Sequence, residues 1–197
     1  GAPLPDGADT VIMQEKVTLL GDTVRIDLAQ LKAGMNVRAK GSEIKSGQIA
    51  LQRGDFLSPA AIGFLAGIGA IDVKVYRKPK VALVITGNEF QTPGESLNFG
   101  QVYESNSYML SAVLKHEGIE GILLFKVEDN LPKLVEALAQ ALESSDVVLL
   151  TGGVSVGDYD FVLKATSRCT VEQVFHKVKQ KPGKPLYFGT KENKLIF

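Results

Sequence analysis

The chain has 197 residues, 45% of them apolar, and 22 basic residues balance 22 acidic ones. That length buries a sizeable core and accommodates two domains, while zero net charge excludes overall electrostatic recruitment to nucleic acid or to an acidic membrane surface. One cysteine, Cys169, and two histidines, His116 and His176, exclude a disulfide framework, a thiolate metal cluster and a histidine-rich site. No apolar run approaches the ~20 residues of a membrane span and no charged-then-apolar leader opens the chain, so the expectation is a soluble, cytoplasmic protein. The start at Gly1 and the stop at Phe197, inside the apparent strand Lys194-Leu-Ile-Phe197, predict a piece of a longer protein.

Up to Arg77 the chain is dense in glycine and in short alternating runs: Thr10-Val-Ile-Met-Gln14, Thr23-Val-Arg-Ile26, Ile49-Ala-Leu51 and Asp72-Val-Lys-Val-Tyr76. One helix interrupts them. Ser58 caps it, Pro59 sits in its first turn, and Ile62, Leu65, Ala66 and Ile68 offer an apolar face before Gly69. Residues 1–77 therefore read as a small β-rich domain with one helix. The basic, proline-containing Arg77-Lys-Pro-Lys80 marks a joint, and residues 78–197 read as an α/β domain.

In that second part Lys80 to Ile85 is a buried-strand run, and Ser105 to His116 is a helix with Met109, Ala112 and Val113 on one face, stopped by Gly118. Ile122 to Phe125 is the next strand. Asn130 caps a second helix with Pro132 in its first turn, and Leu131, Leu134, Val135, Leu138 and Leu142 recur at helical spacing. Asp146 to Leu150 is a third strand. Strands separated by amphipathic helices imply right-handed crossovers and a mostly parallel sheet in a three-layer α/β arrangement.

Ligands of such sheets bind beyond the strand carboxyl ends, where three loops lie: 86–89, 127–130 and 151–160. Each carries a carboxylate, namely Glu89, Asp129 and Asp160, with Asp158 nearby. Gathered on one rim these acids repel unless protonated or neutralised by a hard cation such as Mg2+. The competing reading makes Asp129 a helix cap and Glu89 and Asp158 solvated loop acids. Thr151-Gly-Gly-Val-Ser-Val-Gly157 lacks the endings of a nucleotide-triphosphate loop and of a dinucleotide fingerprint. Its glycines and hydroxyls suit phosphate; the alternative is a tight strand-to-helix turn. Lys181-Pro-Gly-Lys184 reads as a turn that brings its lysines together, with Lys177 and Lys179 leaving the preceding strand. Such a local positive field invites an anion, against the alternative of a solvated turn. His116, His176 and Cys169 read as structural.

Six blocks in order carry a family resemblance: Gly1-Ala-Pro-Leu-Pro-Asp-Gly-Ala-Asp-Thr-Val-Ile-Met-Gln-Glu15, Asn36-Val-Arg-Ala-Lys-Gly-Ser-Glu43, Ile85-Thr-Gly-Asn-Glu89, Gly100-Gln-Val-Tyr-Glu-Ser-Asn106, the 151–161 loop, and Lys177 to Pro185. With them the chain resembles the central domains of the molybdopterin molybdenumtransferases, which insert molybdate into adenylylated molybdopterin and release AMP. The resemblance implies a MogA-like molybdopterin-binding fold for residues 78–197. It implies that Glu89, Asp129 and Asp160 are active-site acids that place Mg2+, and that Lys177 and Lys181 bind anions. Thr151, Gly152, Gly153, Ser155, Gly157 and Lys184 match the pterin-phosphate-binding segments. Asn88 stands where many relatives carry an acid. The family further implies a homodimer in the full-length protein, a molybdopterin adenylyltransferase as pathway partner, and binding rather than turnover by these two domains alone. A non-catalytic scaffold of the same architecture and a related adenylyltransferase are the alternatives.

Overall fold

A computed structural model describes residues 1–27, 29–152, 161–181 and 183–197, which divide into two units, Gly1–Lys74 and Val75–Phe197. In the first unit a 3-10 turn, Gln14–Lys16, leads into an antiparallel hairpin of β1 (Val17–Leu20) and β2 (Thr23–Ile26). Helix α1 (Pro59–Gly67) starts as its sequence dictates: the Ser58 hydroxyl oxygen accepts the Ala61 N–H at 3.2 Å, and Pro59 lies in the first turn. The expected strands at 10–14, 49–51 and 72–76 do not form. These segments find no ladder partner among the described residues, and alternation yields a strand only where a partner satisfies its backbone. No described residue of this unit is buried. Ile62, on the expected core-facing stripe of α1, is 56% exposed.

The second unit runs β3 (Val81–Thr86), β4 (Phe90–Gln91), β5 (Val102–Tyr103), α2 (Asn106–His116), β6 (Ile122–Val127), α3 (Leu131–Ser144), β7 (Val147–Thr151), α4 (Phe161–Arg168), β8 (Glu172–His176), β9 (Tyr187–Lys191) and β10 (Lys194–Ile196). Six strands form one sheet in the order β6-β3-β7-β10-β9-β8. β6, β3, β7 and β10 are mutually parallel; β9 runs against both β10 and β8. The mostly parallel, helix-covered α/β fold expected from the sequence is therefore present; of its C-terminal strands, the sequence marked the one before the 181–184 turn and the one at 194–197, but not β9, which makes the edge antiparallel.

All six residues of β3 are buried, and its pleat divides them between two cores. Ala82 and Val84 meet Leu134, Leu138, Ala141, Val148, Ala165 and Ile196, so α3 and α4 cover one face. Val81, Leu83 and Ile85 meet Leu110 and Leu114 of α2 on the other. The expected stripe of α3 is the buried one, but that of α2 is not: Met109 and Val113 are 58% and 54% exposed. Two apolar stripes with helical spacing run along α2, and docking on β3 selects the leucine one.

Residues 75–80 belong to the second unit. The Arg77 guanidinium donates to both carboxylate oxygens of Asp146 at 2.6 Å, and the Lys80 N–H donates to the same carboxylate at 2.8 Å. The Arg77 hydrogen bonds, followed by that from Lys80, hold the Asp146 carboxyl well below the usual carboxylate range.

Candidate functional site

After β3 the chain returns through α2 on one face of the sheet to β6; after β7 it enters α4 on the opposite face. Neighbouring strands whose exits diverge this way leave a crevice at their carboxyl ends, the usual ligand position in such sheets. The exits of β6, β3 and β7 share that rim. So does that of β8, which the two antiparallel steps through β9 return to the direction of β7.

The loops at the crevice are stitched together. Thr86, 1% exposed, donates its hydroxyl to Asp129 Oδ1 at 2.7 Å, and the Asp129 N–H donates to Asn88 Oδ1 at 3.0 Å. Helix α3 is capped by Asn130, whose side-chain oxygen accepts the Lys133 N–H at 3.2 Å, which leaves the exposed Asp129 carboxylate with one oxygen oriented by Thr86. Asn88 supplies an acceptor here, a task its amide oxygen performs without charge. The Glu89 carboxylate folds over Gly87, where an added Cβ would lie 2.7 Å from Glu89 Oε2 and 2.5 Å from the Phe90 ring.

Gly152 shows the tightest fit. Its φ is +90°, and a Cβ there would fall 1.9 Å from the Thr86 carbonyl oxygen, so β3 and β7 end in backbone contact that only glycine allows. Beside it, the buried Thr151 hydroxyl has no hydrogen-bond partner among the described residues. Buried hydroxyls are almost always satisfied, so this one fits a polar ligand or the chain that follows. Gly153, Ser155, Gly157, Asp158 and Asp160 lie outside the described residues.

On the far side of the sheet, Lys177 leaves β8 with φ 72°, a left-handed conformation that costs a lysine energy. Its N–H donates to Leu186 O at 2.9 Å, and the Val178 N–H donates to Lys184 O at 3.0 Å. These bonds close the loop that carries Lys181, with Gly183 at φ 97°. Lys177, Lys181 and Lys184 are all exposed. The structure places them on the same rim as the acids but at the opposite edge, and it pairs none of them with Glu89 or Asp129.

His116 ends α2, and His176 lies at the end of β8 with its ring centroid 6.4 Å from that of Tyr187. Cys169 is 7% exposed, and burial pushes its thiol up, as an inert structural cysteine requires. Among the described residues no group of three or more His, Cys, Asp or Glu side chains stands ready for a metal. Glu89 and Asp129 do provide the hard oxygen donors that suit Mg2+, which is commonly held by one or two carboxylates with water and substrate phosphates. Reasoning from residue type alone passed over Thr86, Asn88 as an acceptor, and the buried Glu104. All three sit inside the Ile85–Glu89 and Gly100–Asn106 blocks.

Residues 82–197 match the family described as MoCF_biosynth, "Probable molybdopterin binding domain". The chain belongs to this family. Residues 1–69 of this molybdopterin-binding-family chain match the MoeA N-terminal region, domains I and II. A molybdopterin molybdenumtransferase of Nostoc sp. is 40% identical over 190 residues, covering 96% of this chain and 43% of the relative. One from Haemophilus influenzae is 39% identical over 194 residues, covering 98% of this chain and 48% of the relative. A crystal structure of the molybdopterin biosynthesis moeA protein from Pyrococcus horikoshii OT3 superimposes with a TM-score of 0.74 at 32% identity, covering 100% of this chain and 47% of the other. The chain thus spans about half the length of the relatives it matches.

Proposed function

We propose that the second unit binds adenylylated molybdopterin along the carboxyl rim of its sheet, as part of a Mg2+-dependent enzyme that inserts molybdate into the pterin and releases AMP. The observation that carries this reading is the rim around the end of β3, where Thr86, Asn88 and Asp129 lock the loops after β3 and β6 together beside Gly152 and the Thr151 hydroxyl of β7, unpartnered among the described residues. Names of relatives that align along nearly the whole chain support it.

In this reading Glu89 and Asp129 hold Mg2+, with Asp160 as a third acid, while Gly152, Gly153, Ser155 and Gly157 give a phosphate close access to backbone N–H groups. When bound, Mg2+ supplies charge neutralisation to the pyrophosphate bond that is cleaved. Thr151 donates its hydroxyl to a phosphate oxygen. Lys177, Lys181 and Lys184 attract the second anion, with molybdate as the co-substrate. The two carboxylates and three lysines preorganise opposite charges before the ligand arrives, which is the larger part of what such a site contributes. The same reading makes the whole protein a cytoplasmic homodimer that receives its substrate from a molybdopterin adenylyltransferase. Among the described residues no helix is long and apolar enough to cross a membrane.

Calorimetric titration of adenylylated molybdopterin with Mg2+ into the chain tests the proposal. Saturable binding that weakens in Asp129→Asn and in Lys181→Ala is the expected result. Binding untouched by both substitutions would place the ligand elsewhere and overturn it.

A further inference from the structure

The Gly100–Asn106 block stands apart from the hydrogen bonds that stitch the crevice, yet it holds a buried charged group. Glu104 is 2% exposed. Its Oε1 accepts the Ser107 N–H at 2.7 Å, and its Oε2 accepts a short hydrogen bond from the Ser107 hydroxyl. Ser105, the residue immediately before α2, makes no side-chain cap, so the buried carboxylate takes that task over. The main chain around Glu104 is committed in the other direction. Its N–H donates to Gln91 O and the Val102 N–H donates to Glu89 O, each at 2.9 Å. These bonds accompany the parallel pairing of β5 with β4, two residues on each strand.

A ladder that short is marginal in water and needs an anchor. Helix α2 is anchored, because Leu110 and Leu114 pack on Val81, Leu83 and Ile85 of β3. Force therefore passes from the core through α2 to the Glu104 carboxylate, then through β5 to the carbonyl of Glu89. We propose that Glu104 is a positioning residue: pinned to α2, it holds β5 as a clip that fixes the backbone of Glu89 at the crevice. The functional consequence rests on the reading of Glu89 as a site acid.

The test combines amide hydrogen exchange with titration of Mg2+ and AMP into the 197-residue chain. Glu104→Ala removes both acceptors; Glu104→Gln keeps one oxygen for the Ser107 N–H and guards against a variant that fails to fold. The expected result is exchange about tenfold faster at the amides of residues 102 and 104 in Glu104→Ala, as the loss of a buried acceptor implies, partly restored in Glu104→Gln and unchanged at Val84 and Val148. Affinity for Mg2+ and AMP falls by about the same factor, and Glu89→Ala combined with Glu104→Ala binds no worse than Glu89→Ala alone. Unchanged exchange, or additive losses in the double variant, would overturn the proposal. Fast exchange together with a Glu89→Ala variant that binds like the parent upholds the clip and overturns the reading of Glu89.

Discussion

Replacing Gly152 by alanine probes the fold and the site at one atom. The new Cβ would lie 1.9 Å from the Thr86 carbonyl oxygen, well inside the 3.0 Å that such contacts respect. The obstacle is backbone, so rotation of a side chain cannot relieve it. The two strands must part by roughly 1 Å, an overpacking of the kind that costs ~1–3 kcal/mol. A left-handed φ of +90° adds ~1–2 kcal/mol for a residue with a Cβ. The expected loss is therefore ~2–5 kcal/mol in urea unfolding followed by far-UV circular dichroism, with faster amide exchange at Ile85 and Thr151, whose ladder pairing lies next to the clash. Gly63→Ala is the control. Gly63 lies within α1, and a Cβ added there would meet nothing within 4 Å, so the change should stabilise by ~0.5–1 kcal/mol. A Gly152→Ala protein within ~0.5 kcal/mol of the parent, inside the range of ordinary surface changes, would refute the close approach of β3 and β7.

Three further outcomes follow from other contacts. Lys177→Gly relieves a left-handed φ of 72° and should raise stability by ~1 kcal/mol while weakening the binding of Mg2+ and adenylylated molybdopterin; urea melts and calorimetry read the two effects separately, and a loss of stability would contradict the strain. Asn88→Asp keeps the acceptor for the Asp129 N–H and adds a carboxylate, so Mg2+ affinity should rise several-fold, whereas Asn88→Ala breaks the stitch at 3.0 Å and should lower it; equal affinities in titration would count against the stitch. Asp146 is held below the ordinary range by Arg77, so its contribution is present above the unfolded-state value of about 3.9 and is lost as pH falls below it. Asp146→Asn should lose that part of the acid dependence, seen as a flatter slope of urea midpoint against pH below about pH 4.

The sequence announced elements whose signals are local. Ser58 and Asn130 cap as their side chains allow, and the leucines of α3 are buried at the spacing that marks them. What stayed hidden depends on partners distant in the chain. The two stripes of α2 are equivalent until β3 chooses Leu110 and Leu114 over Met109 and Val113. The alternating runs of the first unit become strands only with a ladder to join, and among the described residues only β1 and β2 find one. At the crevice, the positions of Glu89 and Asp129 after their strands were legible because a parallel sheet gathers strand ends. The Asn88 acceptor and the buried Glu104 were not, because a hydrogen bond across 41 residues or a carboxylate folded back onto a helix leaves no period or spacing to read.

The strand order also acts as a ruler. Asp129 follows β6 and Lys177 follows β8, the two outermost strands, five interstrand steps apart, which at ~4.8 Å a step is about 24 Å. Glu89 is one step nearer, and Thr151 stands three steps from β8, about 14 Å away. A lone phosphate or molybdate ion is far too small to bridge such gaps. Whatever engages acids and lysines together must be as extended as two ring systems joined by a pyrophosphate, and a short anion titrated into the chain should perturb one end of the rim and leave the other undisturbed.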